Sequence, residues 1–94
     1  MNTGGNKLWT IVENDTFREC REKHCSDCKK FDDITKGVTW AISRAPEGFP
    51  EIESTGVRII KNVKYGKNPV YRFFYKILDA NRVELLHFEP IPED

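Results

Sequence analysis

Val70–Leu78 reads VYRFFYKIL and Val83–Phe88 reads VELLHF, with Asp79, Ala80 and Asn81 among the residues between them. Tyr71, Phe73, Tyr75 and Ile77 alternate with Val70, Arg72, Phe74, Lys76 and Leu78, which is the two-residue period of a strand. Successive strand side chains point to opposite faces. One face is therefore wholly apolar or aromatic, and the other carries Arg72 and Lys76 around Phe74. The short polar break predicts a turn, and two strong β segments this close predict an antiparallel hairpin. If the same alternation runs on through the second segment, His87 shares a face with Val83 and Leu85.

Upstream, Val57–Val63 (VRIIKNV) predicts a strand after Gly56, and YGKNP at Tyr65–Pro69 predicts the turn that leads into the hairpin. Further back, Phe31, Ile34, Val38, Ala41, Ile42 and Ala45 fall on one helical face. That helix should begin after an N-cap at Ser26 or Asp27 and stop before Pro46. Gly37 lies within it, either for close packing on a sheet or as a break. A shorter helix, FRECREKH from Phe17, is predicted by the capping-box form of Thr16 with Glu19. It places Phe17, Cys20 and His24 on one side. Lys7–Val12 (KLWTIV) reads as a first strand, ended by Asn14, Asp15 and Thr16. Pro90 and Pro92 should stop the last strand. The expected fold class is α+β, in the order β-α-α-β-β-β. It is an antiparallel sheet, the N-terminal strand joining the C-terminal meander, with two helices packed on one face.

The chain has 94 residues, enough for a single domain with one modest core, residues 1–6 and 90–94 being expected to fray. Its content of 38% hydrophobic and 32% charged residues is that of an ordinary globular protein. No apolar run approaches the roughly 20 residues of a membrane span. MNTGGNK lacks the apolar stretch of a signal peptide, and three cysteines make an odd set that suits reduced thiols. A cytoplasmic protein with no membrane contact is expected.

Net charge is zero, yet charge is segregated. Ser54–Leu78 holds six cations (Arg58, Lys61, Lys64, Lys67, Arg72, Lys76) and no acid, while seven acids fall within Glu13–Asp33. Segregated cations attract a polyanion locally without a high isoelectric point. Lysines on strands also keep them soluble and block edge pairing. A cluster that includes Arg72 and Arg58 can hold a phosphodiester and stabilise the added charge of its transition state without metal, and such a cluster also binds acidic proteins. Lys61, Lys64, Lys67 and Lys76 extend the cationic surface, and a lone strand histidine such as His87 is more often structural than catalytic. No carboxylate pair is expected on this basic sheet, and no phosphate loop or nucleophilic triad is present.

Cys20, His24, Cys25 and Cys28 put four ligand types within nine residues. Structural zinc sites usually join two pairs across a longer span, which pins distant segments together. No metal site is expected, therefore, and no cofactor.

The quoted hairpin, extended to PVYRFFYKILDANRVELLHFE, resembles the tyrosine–arginine strand and final strand of the RelE/ParE superfamily of bacterial type II toxins. GVRIIKNV is similar to the strand before it, RAPEGFPEI to the helix end, and LWTIV to the first strand. The resemblance implies a toxin recognised by a cognate antitoxin and acting as a ribosome-dependent mRNA endonuclease. In that reading Arg72 contacts RNA phosphate, with Arg58 and Lys61 as the matching basic residues of the preceding strand, Lys61, Lys64, Lys67 and Lys76 as nucleic-acid contacts, and His87 as the candidate for proton transfer. Where the ribonucleases carry a basic residue and then tyrosine or histidine, this chain reads EPIPED. The alternative implied is a protein of the same fold that binds without cutting RNA: a ParE-like inhibitor of DNA gyrase, or an inactive module bound by an antitoxin.

Overall fold

A computed structural model describes residues 9–24, 28–62, 70–79 and 81–91. The elements are β1 (Thr10–Glu13), α1 (Asp15–His24), α2 (Cys28–Arg44), a short 3-10 turn (Pro46–Gly48), β2 (Val57–Lys61), β3 (Tyr71–Ile77) and β4 (Arg82–Pro90). They form a four-stranded sheet in the order β1-β4-β3-β2. The meander is as expected: β2–β3 and β3–β4 are antiparallel. The first strand corrects the expectation of an all-antiparallel sheet. It joins beside β4 and runs parallel to it, Ile11 opposite Val83 and Glu13 opposite Leu85, so the sheet is mixed. Parallel neighbours need a long crossover, and here everything between β1 and β4 lies between them in sequence.

The helices start and stop for local reasons. Asn14, not Thr16, caps α1: its Oδ1 accepts a hydrogen bond from the Phe17 amide at 2.8 Å. The helix thus begins at Asp15, two residues earlier than the capping box implies. Helix α2 ends at Arg44, where Pro46 follows, and Ala45 is exposed. Gly37 neither breaks α2 nor lets it approach the sheet. It is exposed, and a Cβ there meets nothing within 4 Å. Gly37→Ala is therefore expected to stabilise the protein by about 1 kcal/mol, through helix propensity alone. A rise in the urea midpoint with an unchanged slope checks it. β4 stops at Pro90, as expected. This proline is the final residue of the strand, opposite Tyr71, where its missing amide donor is tolerated.

Both helices bury their apolar stripe on the same face of the sheet. Phe17 of α1 and Phe31, Val38 and Ile42 of α2 meet Ile60, Tyr71, Phe73, Tyr75, Val83, Leu85 and Phe88. Aromatic rings dominate. Phe31 lies 4.5 Å from Phe88, and Phe73 lies 5.6 Å from Phe88 and 6.2 Å from both Phe17 and Phe31, centroid to centroid. Thr35, the buried polar side chain of this layer, satisfies itself by donating to the Phe31 carbonyl at 2.9 Å. No described helix is long and apolar enough to cross a membrane.

The segment after α2 runs along the outer edge of β2. The Ile52 amide donates to the Val57 carbonyl, the Ile59 amide donates to the Pro50 carbonyl, and Glu51 bridges to Arg58. The reversal between them uses Ser54 at φ 54° and Gly56 at φ 78°. Glycine takes that second angle without steric cost. One edge of the sheet is thus covered by a proline-bearing segment that blunts further strand pairing.

Candidate functional site

Strand pairing decides which cations share a face. Residues directly opposite one another point the same way. Across β2, β3 and β4 the rows on the side away from the helices are Lys61–Arg72–Glu89 and Ile59–Phe74–His87. A third row, Val57–Lys76–Glu84, continues to Val12 of β1. Among the described residues no helix packs on this face. Arg72, Phe74 and His87 are half-buried there, and Lys61 and Lys76 are exposed.

Arg58 does not belong to this set, which corrects its assignment as a phosphate ligand beside Arg72. It stands opposite Tyr75, on the helix side of the sheet. Its guanidinium donates to the Phe49 carbonyl at 2.6 Å and the Glu47 carbonyl at 3.3 Å, and lies 3.7 Å from Glu51. Arg58 is a clamp that ties the segment after α2 to the sheet. Hydrogen bonds from a charged donor contribute about 1.5–3 kcal/mol. Arg58→Ala is accordingly expected to cost about 2 kcal/mol, whereas Arg72→Ala should stay within about 1 kcal/mol as the loss of an exposed pair. Equilibrium unfolding of the two variants checks the split.

The basic face is also less basic than the sequence implies. Arg72 is hydrogen-bonded directly to Glu89, and Lys76 lies 3.8 Å from Glu84. Two carboxylates, Glu84 and Glu89, thus stand on the face where no carboxylate pair is expected, each engaged by a cation. The placing of His87 with Val83 and Leu85 is overturned. The register shifts between Phe74 and Tyr75: Tyr75 opposes Leu85 and Phe74 opposes His87, leaving Leu86 as an extra residue on β4. This bulge turns His87 and Glu89 outward while Phe88 stays in the core. His87 then stacks on Phe74, ring centroids 4.2 Å apart and planes 12° from parallel. Nothing in sequence alternation signals that stack.

The face can therefore do three things. Lys61, with no ion-pair partner among the described residues, and Arg72 can meet an anion. The Phe74–His87 stack offers a flat π surface at the centre. Glu84 and Glu89 can meet cations. Lys64 and Lys67 lie outside the described residues. So does Cys25, and of Cys20, His24 and Cys28 only the Cys20 side chain is described, partly buried against the core. No group of three potential metal ligands occurs among the described residues.

A second surface was not foreseen. An open groove lies between β1 and the outer side of α2, lined by Trp9, Ile11, Thr39 and Trp40 among others. Trp40 is 61% exposed, with the Arg44 guanidinium 4.4 Å from its ring centroid. The sequence signal was a tryptophan standing off the apolar stripe of its own helix.

No protein-family model matches the chain, and no curated protein matches it.

Proposed function

We propose that this chain is a cytoplasmic RelE/ParE-like protein of a type II toxin–antitoxin system, and that it acts by binding a macromolecule rather than by cutting RNA. The reading rests on the resemblance of the quoted hairpin and its flanking motifs. The element order is compatible with it, and among the described residues no helix packs on the face opposite the core. One observation favours binding over cleavage: each cation that β3 presents on the open face has a carboxylate partner on β4, Arg72 with Glu89 and Lys76 with Glu84. Metal-free phosphodiester cleavage needs an excess of positive charge aimed at the developing dianion. Here Arg58, the second guanidinium such a site called for, is spent on backbone carbonyls instead. A face whose β3 cations are both paired and whose centre is aromatic suits a protein surface, such as a subunit of DNA gyrase or the antitoxin itself.

The second reading, a ribosome-dependent mRNA endonuclease, draws on Arg72, Lys61 and the stacked His87 sharing that open face. Expression of the chain alone separates the two. Binding predicts growth arrest with full-length transcripts, relieved by the product of a short neighbouring reading frame. Cut transcripts that Arg72→Ala abolishes would establish the nuclease. Unimpaired growth, with no partner retained from the neighbouring gene, would remove the toxin reading altogether.

A further inference from the structure

The open face has a property that neither reading requires. Its cations stand on β3 and its carboxylates on β4, at matching levels: Arg72 opposite Glu89, Phe74 opposite His87, Lys76 opposite Glu84. Consider a two-fold axis running along the strands, in the plane of contact, midway between β3 and β4. It lays β3 of one copy over β4 of another while preserving level along the strands. Arg72 then faces Glu89 of the other copy, Lys76 faces its Glu84, and the Phe74–His87 stack faces its own inverse. The outer strands match as well. Val57 of β2 falls over Val12 of β1, because both lie in the row of Lys76 and Glu84.

We propose that this face is an isologous contact between two copies of the chain. A two-fold interface must be self-complementary, each patch meeting its own image. This pattern of β3 cations, central rings and β4 carboxylates meets that condition, and a face of one sign could not. The chain's net charge of zero leaves no long-range repulsion between copies. Aligned sheets pack about 10 Å apart with their strands within about 30°, so the native twist is accommodated. Size sets the strength. Four strands by five residues give roughly 300 Å² of projected sheet per copy, below the roughly 800 Å² per partner of a standard interface. The dimer is therefore weak and salt-sensitive. It hides Arg72 and His87, so self-association and capture of any other partner on this face exclude one another. The inference concerns the same face as the proposed function but does not depend on the identity of that partner.

Sedimentation velocity on the full chain tests it, from low micromolar to high micromolar concentration, at low and at high salt. Wild type should pass from monomer to dimer with concentration, and added salt should reverse this. The variant Arg72→Glu with Lys76→Glu makes the face acidic, and Glu84→Lys with Glu89→Lys makes it basic. Each alone should remain monomeric, and an equimolar mixture should recover the dimer. Circular dichroism confirms folding. If a double variant unfolds, Arg72→Glu and Glu89→Lys singly make the same comparison. A wild type that stays monomeric overturns the proposal. So do variants that dimerise alone as well as wild type, or a mixture that does not associate. None of these outcomes bears on transcript integrity, so the two tests fail separately.

Discussion

Phe73→Ala should remove about 3–5 kcal/mol of stability, the cost of truncating a fully buried phenylalanine, while Phe74→Ala, one residue on, should cost under about 1.5 kcal/mol. Phe73 is 0% exposed and touches rings from α1, α2, β3 and β4. Removing its ring leaves a cavity that those neighbours cannot all close at once. Phe74 belongs to no part of the core cluster and has His87 as its aromatic partner. Small domains have about 5–15 kcal/mol of stability in all, so the first variant should lose a large share of it and the second little. Urea denaturation followed by far-ultraviolet circular dichroism reads both. Equal losses would mean that the two faces of β3 are not distinguished as described.

The second large effect is a loss of stability at alkaline pH, governed by Tyr75. Its ring is fully buried and its hydroxyl donates to the Pro46 carbonyl at 2.6 Å. Burial pushes its pKa from 10.0 up to about 12, and the nearby Arg58 charge offsets part of that rise. The folded state thus holds this proton more tightly than the unfolded chain does. The resulting stabilisation is fully present below pH 10 and is lost as pH rises through about 12. A two-unit shift corresponds to about 3 kcal/mol. Wild type should therefore weaken steeply across that window. Tyr75→Phe should lack that part of the decline, at a cost near neutrality of about 1–2 kcal/mol for the Pro46 carbonyl left without its donor. Denaturant midpoints taken from pH 8 to pH 12 check the difference.

Much of this was legible in the residues. Alternation in VYRFFYKIL identified the core face of β3, and the helical spacing of Phe31, Val38 and Ile42 identified the stripe that covers it. The parallel placement of β1 was not legible, because four residues of strand pattern do not encode which neighbour they pair with. The side of the sheet that Arg58 takes is written in its spacing. Arg58 and Lys61 are three apart, and an odd spacing on one regular strand puts two side chains on opposite faces. The same rule fails for Glu84 and Glu89, five apart, which share a face because Leu86 is an extra residue between them. A bulge is set by pairing across strands, and β4 alone carries no mark of it. The Arg72–Glu89 pair was hidden for that reason, whereas Glu84 precedes the bulge and alternates regularly with Val83 and Leu85; with the hidden pair went the proposed shift from a cleaving site towards a binding surface.

That shift is the central claim, and one reaction addresses it most directly. Purified chain is added to ribosomes translating a defined messenger, and the 5′ ends of the RNA are mapped by primer extension. The account expects full-length messenger at every concentration of the chain, with or without Arg72→Ala. New ends that rise with wild-type protein and vanish with Arg72→Ala would contradict it.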